Sequence, residues 1–130
     1  MAWTLLRRAA CCATLLLVLA APAVAGDAAE AAPAAIPVPG MVTLVDLGAN
    51  RCIPCKLMAP VLREVREEYR GRAAVIFLDV WEDPNQTERF GIQVIPTQIF
   101  YDAEGREALR HEGFMDKAAI AKALARLGVK

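Results

Sequence analysis

The apolar residues of this chain keep changing period, and each change marks an element. From Val42 to Leu47 (Val-Thr-Leu-Val-Asp-Leu) they run almost unbroken and β-prone, which predicts a strand. Between Cys52 and Tyr69 they recur at Leu57, Val61, Val65 and Tyr69, with Met58 and Leu62 beside them, the spacing of an amphipathic helix. Pro60 falls inside that helix, where a proline is expected to kink it, and Gly71 suits its stop. Ala73–Asp79 is a continuous apolar run, as a strand covered on both faces requires. Pro84–Phe90 predicts a short helix. Thr97–Tyr101 and Arg106–Glu112 read as strands joined by the short loop Asp102–Gly105. Asp116 can cap a last helix whose apolar face is Ala119, Ile120, Ala123, Leu124 and Leu127, stopping at Gly128. The order β-α-β-α-β-β-α predicts an α/β sandwich, parallel at its start and closed by an antiparallel hairpin.

The front of the chain follows no such period. Arg7 and Arg8 precede an apolar run, Ala9–Ala21, and Ala23-Val24-Ala25 forms a small-x-small cleavage site. That order predicts a secretory signal peptide over residues 1–25. The run is short of the roughly 20 residues a membrane span needs. The expected location is therefore periplasmic or secreted, with membrane anchoring only where this segment stays uncleaved. Residues 26–40 are Ala- and Pro-rich, with prolines at 33, 37 and 39, and predict a flexible or extended linker. The folded domain is expected over residues 41–130.

Charge and cysteine count narrow the function. All 15 acidic residues follow Ala25, as do all of the 15 basic ones except Arg7 and Arg8. The exported part is thus slightly acidic, with no basic excess to attract nucleic acid. Past Ala25 the cysteines are Cys52 and Cys55. One close pair is no disulfide framework, so it suits cycling better than stapling. The pair sits at a strand-to-helix junction with Cys52 near the helix start. Backbone N–H groups and the helix dipole stabilise an anion there, and the anion a cysteine offers is a thiolate, the nucleophile of disulfide exchange.

Several motifs agree in type and spacing. They are Cys52-Ile53-Pro54-Cys55-Lys56, Asp46 at the end of the preceding strand, Pro60 in the helix, Gly91-Ile92-Gln93-Val94-Ile95-Pro96-Thr97, and Gly113 ahead of the closing helix. In these the chain resembles the thioredoxin family over about residues 41–128. The resemblance implies a thioredoxin-like fold, a central mixed sheet of about four strands with helices on both faces, without the family's N-terminal strand and helix. It implies a protein-disulfide reductase, which the expected signal peptide would send to the cell envelope. Cys52 would be the nucleophile, Cys55 the resolving thiol and disulfide partner, and Asp46 the proton acceptor. Pro96, if cis, and the backbone of Ile95 would meet the substrate, as would Arg51 and Pro54. The two thiols carry the electrons, so no cofactor is implied. The implied partners are protein disulfides and a membrane electron donor of the thiol-relay type, with the protein itself a monomer.

The chain departs from that family where Gly48 and Arg51 replace tryptophans and Phe77 replaces a lysine near the buried Asp. The aromatic platform beside the cysteines is expected to be gone, and Asp46 to be easier to protonate. Trp81 is expected near the sheet edge, outside the site, and His111 on a surface strand. Two other classes compete: a metal-binding or metallochaperone module, and a redox-inert adaptor with a static disulfide. A structural zinc site needs four ligands, and Cys52, Cys55 and His111 do not supply them. Met58 has the spacing of a core residue. No metal is expected.

Overall fold

The computed structural model describes residues 35–130. The expected signal peptide, and the expected linker as far as residue 34, lie outside the described residues. The elements are β1 (Thr43–Gly48), α1 (Ile53–Glu68), β2 (Ala74–Asp79), α2 (Asn85–Phe90), β3 (Thr97–Tyr101), β4 (Glu107–Glu112) and α3 (Lys117–Arg126). Each lies where the apolar pattern places it, to within a residue or two at its ends. The strands form one sheet in the order β2-β1-β3-β4. β1 pairs parallel with β2 and antiparallel with β3, which pairs antiparallel with β4.

Alternation along the strands divides the core between two faces. Leu44 and Phe100 point to one side, where they meet Met58, Leu62 and Val65 of α1 and Ile120 and Leu124 of α3. Val45, Leu47 and Ile99 point to the other, against Val80 and Phe90 at the end of α2. Each fully buried Leu or Phe contributes about 1.5–3 kcal/mol. These layers fix the C-terminal end of β1, where the cysteine motif begins. Asp116 caps α3, its Oδ1 accepting from Ala119 N–H at 2.8 Å. No helix among the described residues is long and apolar enough to cross a membrane.

Two expectations change. The inward stripe of α1 is Cys55, Met58, Leu62 and Val65, while Leu57 is 59% exposed. Burying Cys55 under the helix start turns Leu57, two positions on, toward solvent. In addition, the end of the expected linker is docked on the domain. Val38 N–H donates to Thr43 Oγ1 at 3.0 Å, Gly40 N–H to Ala103 O at 3.2 Å, and Arg89 Nη2 to Ile36 O at 3.2 Å. Ile36 packs on the α2-side core, so residues 36–40 belong to the folded unit rather than to a flexible tether.

Candidate active site

The site starts where β1 gives way to α1. Cys52 is the N-cap of α1, with extended backbone, and Pro54 fits the first turn, where a missing N–H costs nothing. The N–H of Cys55 points at Cys52 Sγ, 3.4 Å away. In the disulfide seen here that sulfur is neutral; it occupies the place a thiolate takes in the reduced protein. No acidic residue lies in the first turn to oppose that charge. Cys52 and Cys55 are joined, with Cα atoms 5.2 Å apart. Cys52 is half-buried, whereas Cys55, one turn in, is only 4% exposed.

Beneath the helix start, strand register lays one row of side chains across the sheet. Asp46 of β1 stands between Phe77 of β2 and Gln98 of β3, and Gln98 stands beside His111 of β4. Asp46 and Gln98 are both 0% exposed. Gln98 Nε2 donates to Asp46 Oδ1 at 2.7 Å. Asp46 Oδ2 and Gln98 Oε1 have no partner. Burial raises the Asp46 pKa to about 6, with the Gln98 hydrogen bond acting in the opposite direction. Gln98 was not among the sequence candidates. Its signal was available: it interrupts an apolar strand on the side that carries Phe100.

Gly48 makes the close packing over this row feasible. A Cβ there would lie 3.1 Å from Phe77 Cε2 and 3.3 Å from both Cβ and Sγ of Cys55. The expected loss of aromatic surface is therefore corrected on the inner side, because Phe77 fills the space beside Cys55. A cleft of about 180 Å³ runs along Cys55, Ala59 and Phe77, with Lys56, Arg63 and Arg66 among its other lining residues.

The outer side carries a second aromatic. The Arg51 guanidinium carbon lies 6.0 Å from the centre of the Trp81 ring, at the outer reach of a cation–π contact. Asp79 ties their two loops together. Its Oδ2 accepts from Asn50 N–H at 2.8 Å, and its Oδ1 from the N–H groups of Trp81 at 2.9 Å and Glu82 at 3.2 Å. Desolvation pushes the Asp79 carboxyl up, but those three N–H groups and nearby Arg51 outweigh it and hold the pKa below the usual range. Trp81, 53% exposed, thus stands over the residue next to Cys52 and not apart from the site as the sequence led us to expect. The cause is the turn at Asp79, which a reading by strand and helix period does not reveal.

β3 runs antiparallel to β1 with Thr97 opposite Leu47, so Pro96 lies at the same end of the sheet as the cysteines. The Ile95–Pro96 peptide is cis. Pro96 O accepts from Gly113 N–H at 2.8 Å, while among the described residues no hydrogen bond engages the N–H or C=O of Ile95. Pro54 is exposed, as are Ile53 and Val94. His111 Nε2 lies 3.2 Å from Phe114 O. Met58 is a core residue whose Sδ accepts from Met115 N–H at 3.2 Å. No group of three or more His, Cys, Asp or Glu among the described residues is placed to hold a metal ion.

This geometry can be set beside known proteins. The family model for thioredoxin matches residues 34–126. The chain belongs to the thioredoxin family. Its match begins ahead of Met41, in keeping with the docked residues 36–40. Thioredoxins of Staphylococcus aureus, among them those of strains Mu50 and MW2, are 39% identical over 83 residues, covering 64% of this chain and 79% of theirs. The solved structure of chloroplastic thioredoxin z superposes with a TM-score of 0.62 at 34% identity, covering 70% of this chain and 81% of that one. A thioredoxin fold carrying the Cys52–Cys55 disulfide is a thiol–disulfide oxidoreductase.

Proposed function

We propose that this thioredoxin works in the cell envelope and reduces disulfides of exported proteins through the Cys52–Cys55 dithiol. The observation that carries the mechanism is the unequal setting of the two sulfurs. Cys52 is half-buried at the helix N-cap, and Cys55 is buried one turn in, on the side of the helix facing the layer that holds Asp46. Cys52, as a thiolate, attacks one sulfur of the substrate disulfide and the other sulfur leaves as a thiolate. Cys55 gives its proton to Asp46 and attacks Cys52 Sγ. The second substrate sulfur leaves, and the Cys52–Cys55 disulfide closes. Two electrons have passed to the substrate, and a dithiol donor must return them.

Ile95, with its backbone N–H and C=O unengaged, offers an extended substrate the edge of a short strand pairing beside cis-Pro96. Arg51 favours both the Cys52 thiolate and substrates with acidic residues near their disulfide. Pro54 and Ile53 supply apolar contact. The envelope location rests on the signal-like pattern of residues 1–25. A reductant there needs a thiol-relay donor in the membrane, because the surroundings are oxidising. The reducing direction rests on Pro54 ahead of the resolving cysteine, as in reducing thioredoxins. The test is the reduction potential of the pair, read by equilibration against a glutathione or dithiothreitol couple. The proposal expects a value near thioredoxin's, about −270 mV; a value near about −120 mV would make the protein an oxidant instead.

A further inference from the structure

Buried polar atoms in folded proteins are paired, and Asp46 Oδ2 and Gln98 Oε1 are the two exceptions among the described side chains. Both belong to one pair of residues. Asp46 and Gln98 face each other directly across β1 and β3, each is 0% exposed, and Gln98 Nε2 already donates to Asp46 Oδ1 at 2.7 Å. What is missing is one donor shared by two acceptor oxygens. A proton on Oδ2 supplies it. Acid and amide then close a ring of two hydrogen bonds, N–H of Gln98 to Oδ1 and O–H of Asp46 to Oε1. The neighbours in the row do not supply that donor. Phe77 on β2 has none, and His111 on β4 is turned through Nε2 to Phe114 O. Cys55 on α1, the remaining titratable group of the site, is tied up in the disulfide.

We propose that Gln98 is a positioning residue that holds the proton Asp46 takes from Cys55, by accepting the Asp46 O–H once the transfer is complete. This rests on Asp46 being the proton acceptor. The S–H bond of Cys55 breaks, its electron pair stays on sulfur and forms the bond to Cys52 Sγ, and the proton forms the O–H bond on Asp46. The disulfide is the state after that step, in which, on this proposal, the proton is on Oδ2 and the ring is closed as long as the pH stays below the Asp46 pKa of about 6. When a donor thiolate attacks Cys52, Cys55 leaves as a thiolate and recovers the proton. The amide N–H stays on Oδ1 throughout, so Asp46 does not turn between the two halves of the cycle.

The experiment is infrared spectroscopy of the oxidised, folded protein below pH 6, read as the difference from Asp46→Asn, with single-turnover kinetics above pH 6, where Asp46 is ionised before it accepts the proton, alongside. The oxidised protein should show a protonated-carboxyl C=O band, abolished in Asp46→Asn and placed low, as for an acid that both donates and accepts. In Gln98→Met, similar in size but without the amide, that band should move to higher frequency. The resolving step should slow about tenfold, a part of the roughly 10²–10⁴-fold that general-base assistance supplies, with the first attack by Cys52 unchanged. A band that Asp46→Asn abolishes but Gln98→Met leaves in place would overturn the role of Gln98 and keep Asp46 as acceptor. Absence of any band sensitive to Asp46→Asn would remove the acceptor itself and the inference with it. If Gln98→Met does not fold, the wild-type protein decides. A band at the free-acid frequency, or Gln98 side-chain amide NMR signals unmoved by reduction, would overturn the inference.

Discussion

The floor under Cys55 and the rim beside Cys52 serve one disulfide in opposite ways. On the floor, Asp46 and Gln98 lie fully buried in a row set by strand register, with Phe77 closing the flank that Gly48 leaves open. On the rim, Arg51 and Trp81 are exposed, held by loops that Asp79 ties together through backbone N–H groups. A charge on the floor is costly, because it has lost its water and gained one hydrogen bond in exchange. A charge on the rim keeps its water and is screened within about a nanometre at physiological salt. The floor is therefore suited to timing a proton, and the rim to choosing a partner.

The sharpest way to break this contrast is to remove the charge from the floor. Asp46→Asn should slow resolution of a mixed disulfide by about 10²-fold or more, while the first attack by Cys52 stays close to wild type. Rapid-quench single-turnover measurements from pH 6 to 9 would read both steps, and an unchanged resolving step would take Asp46 out of the mechanism.

The same substitution should stabilise the oxidised protein in a pH-dependent way. The Asp46 pKa rises from 3.8 unfolded to about 6 folded, so the native state holds a proton that the unfolded state has lost between those values. Its contribution to stability is fully present below pH 3.8 and is lost as pH rises through 6. Urea titrations should therefore find Asp46→Asn gaining on wild type from pH 4 to pH 7, by up to about 3 kcal/mol. A constant difference across that range would mean that the carboxyl is not held neutral by burial.

How much of this was legible beforehand follows the same division. The floor's outline was readable, because strand period and the spacing from Asp46 to Cys52 are sequence quantities. Gln98 was passed over because a lone polar residue in a strand gains meaning only once register sets it against Asp46. On α1, the alternation of Leu57 with Met58 left the inward stripe ambiguous until the burial of Cys55 fixed its phase. The rim was misread, since Arg51 and Trp81 are 30 positions apart and meet through side chain-to-backbone bonds of Asp79 that have no periodic signature. The docking of residues 36–40 was missed because proline content speaks against helix and central strand but is compatible with an irregular segment packed on a surface.

Filling the gap at residue 48 should cost less. In Gly48→Ala the added methyl meets Phe77 and Cys55, and overpacking of that kind costs about 1–3 kcal/mol. Thermal unfolding should show the loss in the single variant, and Phe77→Leu in the same chain should restore part of it. Wild-type stability in Gly48→Ala would mean that Phe77 does not close the floor as described.

The rim should give the smallest effect. Arg51→Ala should raise KM about two- to fivefold for peptide disulfides flanked by acidic residues, the size expected of an exposed charge pair, leave kcat near wild type, and lose that difference at high salt. Trp81 fluorescence should change with the same substitution, since the guanidinium stands over its ring. An equal loss on neutral peptides would show that Arg51 acts on the thiolate rather than on the partner.

The central claim is that the two sulfurs do different work, Cys52 attacking and Cys55 resolving. It is tested most directly by expressing Cys55→Ser and Cys52→Ser in an exporting host, quenching with acid and comparing mixed disulfides on non-reducing gels. Cys55→Ser should accumulate adducts, because the half-buried N-cap thiol still attacks and nothing at position 55 releases the product. Cys52→Ser should accumulate few, because Cys55 is covered by the helix turn. Equal yields from the two variants, or none from either, would contradict the account.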